Sequence, residues 1–304
     1  MTKISYKPLI ALALAVFLSM SFAYAAAGGE KGTNTNYINS LPYTINDSGK
    51  YLLNVSESGL NGPAIEIIVD NVTLEGNGHY IEGDYIHNGY TQDCGVRALY
   101  VSGLTIKDMN ISGFASGICF MGVSDSTIFK NNIPNSDEDG IGIYEGCENI
   151  RVEQNSISEC MFPLYISTAY PYTIPITNVE IVNNEIIDSG LGITLSGNSA
   201  NAKITSNDII NNSRGICAYI ATDLKITSND IVDAYQGIYL YMATNAKITS
   251  NDIVDAMILG MGIYDSNDCD IHGNKISSYG IDLEILNNTD FKESGNKYND
   301  SNII

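Results

Sequence analysis

One string recurs at a fixed interval. KITSNDI runs over Lys203–Ile209, Lys225–Ile231 and Lys247–Ile253, 22 residues apart each time. A unit this short cannot bury an apolar face alone, so it must stack on copies of itself. Weaker copies extend the series through Asn131, Asn155, Asn184, Asn207, Asn229, Asn251, Asn274 and Asn296, with gaps of 24, 29, 23, 22, 22, 23 and 22. Three residues before these Asn stand Ile128, Val152, Ile181, Ile204, Ile226, Ile248 and Ile271, and only Glu293 breaks that column. Half a repeat away, a Gly precedes an apolar residue at Gly117, Gly140, Gly190, Gly215, Gly237, Gly260 and Gly280.

Within these runs apolar residues alternate with period two, which predicts strands of about three to five residues. No stretch carries the 3.6-residue period of a helical solenoid. The chain has 43 Ile, 19 Leu and 33 Asn. A leucine-rich repeat would need Leu columns. β-Branched Ile instead favours strands, and Asn favours tight corners. Short strands in a 22-residue coil predict a parallel β-helix, whose coils stack about 4.8 Å apart with equivalent residues in columns. The recurring Asn beside core positions is expected to form an amide ladder inside a corner.

The segment Val72–His79 reads VTLEGNGH, and Leu104–Ile106 reads LTI. With the repeats, they resemble the right-handed parallel β-helix of the pectin-lyase-like superfamily. The resemblance is to its branch of NosD-type, or carbohydrate-binding and sugar hydrolase, repeats, and to archaeal and bacterial surface proteins. It implies an all-β, single-stranded right-handed solenoid of nine to ten coils with an N-terminal cap, over residues 43–300. It does not imply one activity, because this fold hosts lyases, hydrolases, epimerases and proteins without catalysis. The copper handling suggested by that branch lacks a Met/His cluster here.

Lys3 and Lys7 precede an apolar run from Leu9 to Leu18, and Ala23-Tyr24-Ala25 follows in an A-x-A arrangement. This reads as a signal peptide over residues 1–25. Residues 26–42 read as a flexible arm or the start of the cap. The expectation is a secreted, extracellular or cell-surface protein with no membrane span after cleavage. The net charge is −20. Loss of the leader removes two Lys and no acid, leaving 13 bases against 35 acids, or −22. Such acidity excludes a nucleic-acid partner, which needs a basic face. Two insertions, Glu82 to Arg97 and Ser167 to Pro175, interrupt the repeats.

Three constellations could carry chemistry. Tyr144, Tyr219, Tyr241 and Tyr264 recur at one outward position, and Tyr165 and Tyr239 stand two residues earlier. Tyr170 and Tyr172 lie in the second insertion. Stacked outward aromatics suit the apolar faces of sugar rings, so a polysaccharide or surface glycan is the expected partner. Cross-strand Tyr packing is the intramolecular alternative. Tyrosines beside carboxylates would favour a neutral or cationic glycan over a polyuronate, unless calcium bridges.

Next comes an acidic ladder. Glu185, Asp208, Asp230 and Asp252 follow the ladder Asn, and Asp188, Asp233 and Asp255 lie just beyond. Columns of carboxylates about 5 Å apart repel by roughly 0.9 kcal/mol per pair in water, and calcium is the cation that would relieve this. A solvated acidic face, partly offset by the Lys203, Lys225 and Lys247 column, is the alternative. Finally, Arg214 is the one Arg near this ladder, a candidate catalytic residue if the chain is a polysaccharide lyase or glycosidase. Asp137, Glu138 and Asp139 read as an acidic loop. The sequence thus points to a surface β-helix that binds polysaccharide or serves as a scaffold, with the enzyme as the alternative.

Overall fold

The computed structural model describes residues 35–85, 93–168 and 174–299. Tyr170, Tyr172 and the leader lie outside them. Among the described residues every element is a strand. The strands form a 23-stranded sheet and an 11-stranded sheet. Neighbouring strands pair in parallel one coil apart, as in Ile204↔Ile226↔Ile248 and Ile209↔Ile231↔Ile253. The larger sheet bends into two faces, because strands such as Leu191–Ala200 and Arg214–Thr222 run around a corner. With the smaller sheet these make the three walls of a parallel β-helix.

The 11 strands of the smaller sheet count the coils, which are eleven rather than nine to ten. The extra coil is N-terminal, where Thr35–Ile38 pairs with Gly49–Leu53. That coil carries neither the ladder Asn nor the Gly signature, so the repeat could not reveal it. Its first strand falls in the segment read as an arm or cap start.

Ile columns from all three walls fill the interior; Ile204, Ile209, Ile216, Ile226, Ile231 and Ile238 are fully buried. The Asn ladder is present as expected. Each side chain donates Nδ2 to the next Oδ1, at 2.9 Å from Asn131 to Asn155, from Asn155 to Asn184 and from Asn207 to Asn229. Each Oδ1 also accepts the preceding rung's backbone N–H, as Asn229 does from Asn207 at 3.0 Å. The ladder Asn is not itself the left-handed residue of its corner. That role falls one position earlier, to Ser206, Ser228 and Ser250, all with φ 56°. A second amide stack runs outside, where Asn201 donates to Asn178 at 2.6 Å and Asn178 to Asn149 at 2.9 Å. These do adopt positive φ (Asn149 55°, Asn178 56°, Asn201 57°), which Asn tolerates better than most residues.

Candidate functional site

The first face of the large sheet carries the tyrosines on its outer side. Register places Tyr219, Tyr241 and Tyr264 opposite one another on successive strands, with Tyr239 beside them. The column is not continuous. Thr194 and Ser196 of Leu191–Ala200 occupy the equivalent positions between the halves. The structure therefore gathers the tyrosines into two clusters.

The C-terminal cluster is built around Arg214. Tyr219 and Tyr239 have ring centroids 5.7 Å apart, and Tyr239 and Tyr264 5.1 Å. Arg214 donates Nη1–H to the Tyr219 hydroxyl at 2.5 Å and places Cζ 5.1 Å from the Tyr239 ring centroid. Tyr264 lies back along its own strand over Gly262, where an added Cβ would come within 2.6 Å of the ring. Its hydroxyl donates to Glu284 at 2.5 Å. Burial and this carboxylate push the Tyr264 phenol well above its ordinary pKa. Arg214 thus faces the tyrosines and not the acid column, which lies on the smaller sheet.

The N-terminal cluster holds Tyr144 and Tyr165, centroids 6.4 Å apart at 79°, with Phe162 4.8 Å from Tyr165. Tyr144 folds over Gly142 and donates its hydroxyl to Asp139. The loop reading of these acids needs correction. Asp139 opens the strand Asp139–Tyr144 and is 2 % exposed, aligned with buried Ser116 of the preceding coil. Burial raises its pKa to about 7, against the Tyr144 hydrogen bond, which lowers it. Glu138 is raised to about 8 by burial and by Asp139, Asp137 and Asp93. Cys94 and Cys119 adjoin this pair as buried thiols; burial and the Cys119 neighbour raise the Cys94 pKa.

This cluster predicts a pH dependence. A carboxyl raised in the folded state retains its proton where the unfolded chain has lost it. Its contribution is complete below about pH 4 and declines as pH rises through about 7 for Asp139. The Asp139→Asn variant should match the parent near pH 4 and exceed it at pH 8, by at most roughly 4 kcal/mol. Urea unfolding at the two pH values measures this; an equal loss at both would contradict it.

Tyr144, Tyr165, Tyr219, Tyr239, Tyr241 and Tyr264 are half-buried rather than fully exposed. Sequence reasoning missed the rim beside the Arg214 cluster. Tyr235, Met257, Ile258 and Tyr279 sit at one corner on consecutive coils and are 48 %, 59 %, 44 % and 77 % exposed. Its one signal was the 23-residue gap between Asn251 and Asn274, which accommodates the additional residue.

The acidic residues divide. Glu185, Asp208, Asp230 and Asp252 do form one column on the smaller sheet. Ser156 caps it by donating to Glu185 at 2.9 Å, and Lys275 closes the other end with Asp252 at 2.9 Å. Burial, then Asp230 and Glu185, raises the Asp208 pKa. Asp188, Asp233 and Asp255 instead occupy left-handed corner positions, with φ of 51°, 55° and 57°. Among the described residues no three His, Cys, Asp or Glu converge as a metal site. Nor, among the described residues, do His and Cys donors gather for copper: His79 lies against Ser56, His272 lies against Ser294 near the opposite end, and the thiols are buried.

Residues 143–304 match the family model described as periplasmic copper-binding protein (NosD), and residues 45–209 match that of the right-handed β-helix region. No curated protein matches the sequence. Solved structures share the fold at low identity. The periplasmic alginate epimerase AlgG is 13% identical with TM-score 0.59, covering 81% of this chain and 69% of its own. The A-module of the Azotobacter vinelandii mannuronan C-5 epimerase AlgE4 is 14% identical with TM-score 0.58, covering 95% and 91%. The Streptococcus pneumoniae surface protein and adhesin PfbA is 9% identical with TM-score 0.60, covering 90% and 88%. These likenesses show the fold alone. With each family model spanning more than half of its residues, this chain belongs to the right-handed β-helix proteins and to the NosD family.

Proposed function

We propose that this is an exported β-helix protein that binds polysaccharide on its tyrosine face. The observation that carries the reading is the Tyr219–Tyr239–Tyr264 stack around Arg214. Its half-buried rings form a fixed apolar floor, while the hydroxyls and guanidinium supply polar handles for sugar hydroxyls. The exposed Tyr235–Tyr279 rim widens that floor. The alginate and mannuronan epimerases that share this fold are named for polysaccharides, which supports a glycan as the occupant.

Calorimetric titration with neutral, cationic and acidic polysaccharides, with calcium and with chelator, tests the reading. The parent should bind at least one, and Tyr239→Ala should weaken that binding at least tenfold, or about 1.4 kcal/mol. Absence of binding across the panel under both conditions would refute it. Dependence on calcium would favour a cation role for the Glu185–Asp252 column.

One observation favours a second reading. Asp139, bonded by the Tyr144 hydroxyl, and the adjacent Glu138 hold their protons close to neutral pH, the range in which carboxyl groups serve as acid and base. A polysaccharide lyase or glycosidase would use them with the Tyr144–Tyr165 floor. Release of reducing ends or unsaturated products, lost in Asp139→Asn, would decide for it. Arg214 is the alternative catalytic candidate, and Arg214→Ala would abolish release in its case.

A further inference from the structure

The second face of the large sheet, around a corner from the tyrosines, carries a feature that glycan binding on the tyrosine face does not use. Lys203, Lys225 and Lys247 stand opposite one another on three successive strands. Three ammonium groups one coil apart, about 4.8 Å, repel each other. Lys203 is compensated by Glu180 at 2.6 Å. Among the described residues Lys225 and Lys247 have no ion pair, although acids outnumber bases 35 to 15 in the whole chain. Both are exposed.

These lysines are not on a flat surface. Two depressions of about 290 and 220 Å³ lie end to end along this face and share Asn201. The first is lined by Arg151, Asn178, Glu180 and Lys203, the second by Asp223, Lys225, Asn245 and Lys247. Together they make one groove parallel to the solenoid axis, with four cations against two carboxylates. The left-handed corner residues Asn178, Asn201 and Asn245 bring carboxamide side chains to its edge. Such amides can donate to and accept from sugar hydroxyls. Lys203, Lys225 and Lys247 put one cation on each of three successive coils, between Glu180 and Asp270 in the same column; edged by amides, they complement a linear ligand that carries an anionic group on each short repeat and hydroxyls between.

We propose that this groove is a second ligand site, separate from the tyrosine face, and that it takes a linear anionic polysaccharide. Lys225 and Lys247 pair with its carboxylates or sulfate esters, and the Asn residues hydrogen-bond its hydroxyls. Local charge governs this contact, because at physiological ionic strength charges farther away than about 8 Å are largely screened. The charges lining the groove, rather than the net value of the whole chain, therefore set this contact.

The test uses the full chain and three probes of known chemistry: dextran sulfate, polygalacturonate and neutral dextran. At physiological ionic strength the parent should bind one or both anionic probes and lose affinity steeply as salt rises further. Lys225→Glu with Lys247→Glu should weaken that binding at least tenfold, and the milder Lys225→Ala with Lys247→Ala should weaken it in the same direction. The same charge change at the distant exposed Lys130 and Lys297 should leave it within about twofold of the parent, as expected when screening confines the effect to local charges. Binding of dextran sulfate alone assigns the groove to sulfate esters, and of polygalacturonate alone to uronates. Binding of neither anionic probe overturns the proposal. So does equal weakening by the distant pair, or none by the Lys225 and Lys247 variants. Tyr239→Ala should not alter this binding, so failure here and failure at the tyrosine face are separately visible.

Discussion

Replacing Asn229 by alanine should destabilise the solenoid by about 3–5 kcal/mol. Asn229 is fully buried and occupies one rung of the ladder. Its Nδ2 donates to Asn251 Oδ1 at 2.9 Å, Ile204 O at 3.0 Å and Thr227 O at 3.2 Å. Its Oδ1 accepts the backbone N–H of Asn207 at 3.0 Å and the Asn207 side chain at 2.9 Å. Alanine strands these groups in a dry corner, where an unmet donor or acceptor costs about 1–3 kcal/mol. Asn296 makes similar bonds in the last described ladder position but is half-buried, so water can replace the missing groups. Asn296→Ala should therefore cost no more than about 1 kcal/mol. Urea midpoints at constant slope measure both. Equal losses at the two positions would show that the ladder contributes no more than a surface amide.

Gly237→Ala should cost about 3 kcal/mol or more, through collision rather than lost bonds. A Cβ at Gly237 would stand 2.4 Å from Gly260 O and 2.7 Å from Ile253 Cγ2. One is backbone of the next coil and the other a core side chain, so neither yields without shifting a wall. Gly215 meets Gly237 O and Ile231 in the same way, at 2.5 and 2.7 Å. At Gly117, Gly140, Gly215, Gly237 and Gly260 of the second repeated register a Cβ would stand 2.4–2.6 Å from a backbone oxygen of the next coil, but the structure places Gly192 rather than Gly190, and Asp282 rather than Gly280, in that column. Gly78 is the contrast: nothing lies within 4 Å, and only its φ of 79° disfavours alanine. Thermal unfolding of the two variants should rank Gly237→Ala well below Gly78→Ala, and the reverse order would refute this account of the column.

The walls were readable because each repeats a constraint. Ile204, Ile226 and Ile248 share one interior environment, and the ladder Asn share one corner, so each column appears as a periodic letter. Positions that depend on a single coil were not readable. Asp139 looked like part of an acidic loop, because its burial depends on its place at the start of a strand and on Tyr144 folding over Gly142. The coil beginning at Thr35 lacks both signatures and was uncounted. The outward tyrosines were visible as a column, but their division depends on Thr194 and Ser196 filling the intervening positions. Asp188, Asp233 and Asp255 shared the acidic pattern with Asp208, yet positive φ gives them a corner role that a spacing argument cannot distinguish. The Lys203–Lys247 column was read as an offset to acidity, whereas the acid column it would offset lies on another wall.

The central claim is that polysaccharide lies on the tyrosine face. Its most direct test is an experimental structure with an oligosaccharide of the tightest-binding polysaccharide. The account predicts sugar rings against Tyr239 and Tyr264, with a polar group of the ligand at Arg214. Sugar bound only elsewhere, with the Tyr219–Tyr239–Tyr264 floor bare, would contradict it.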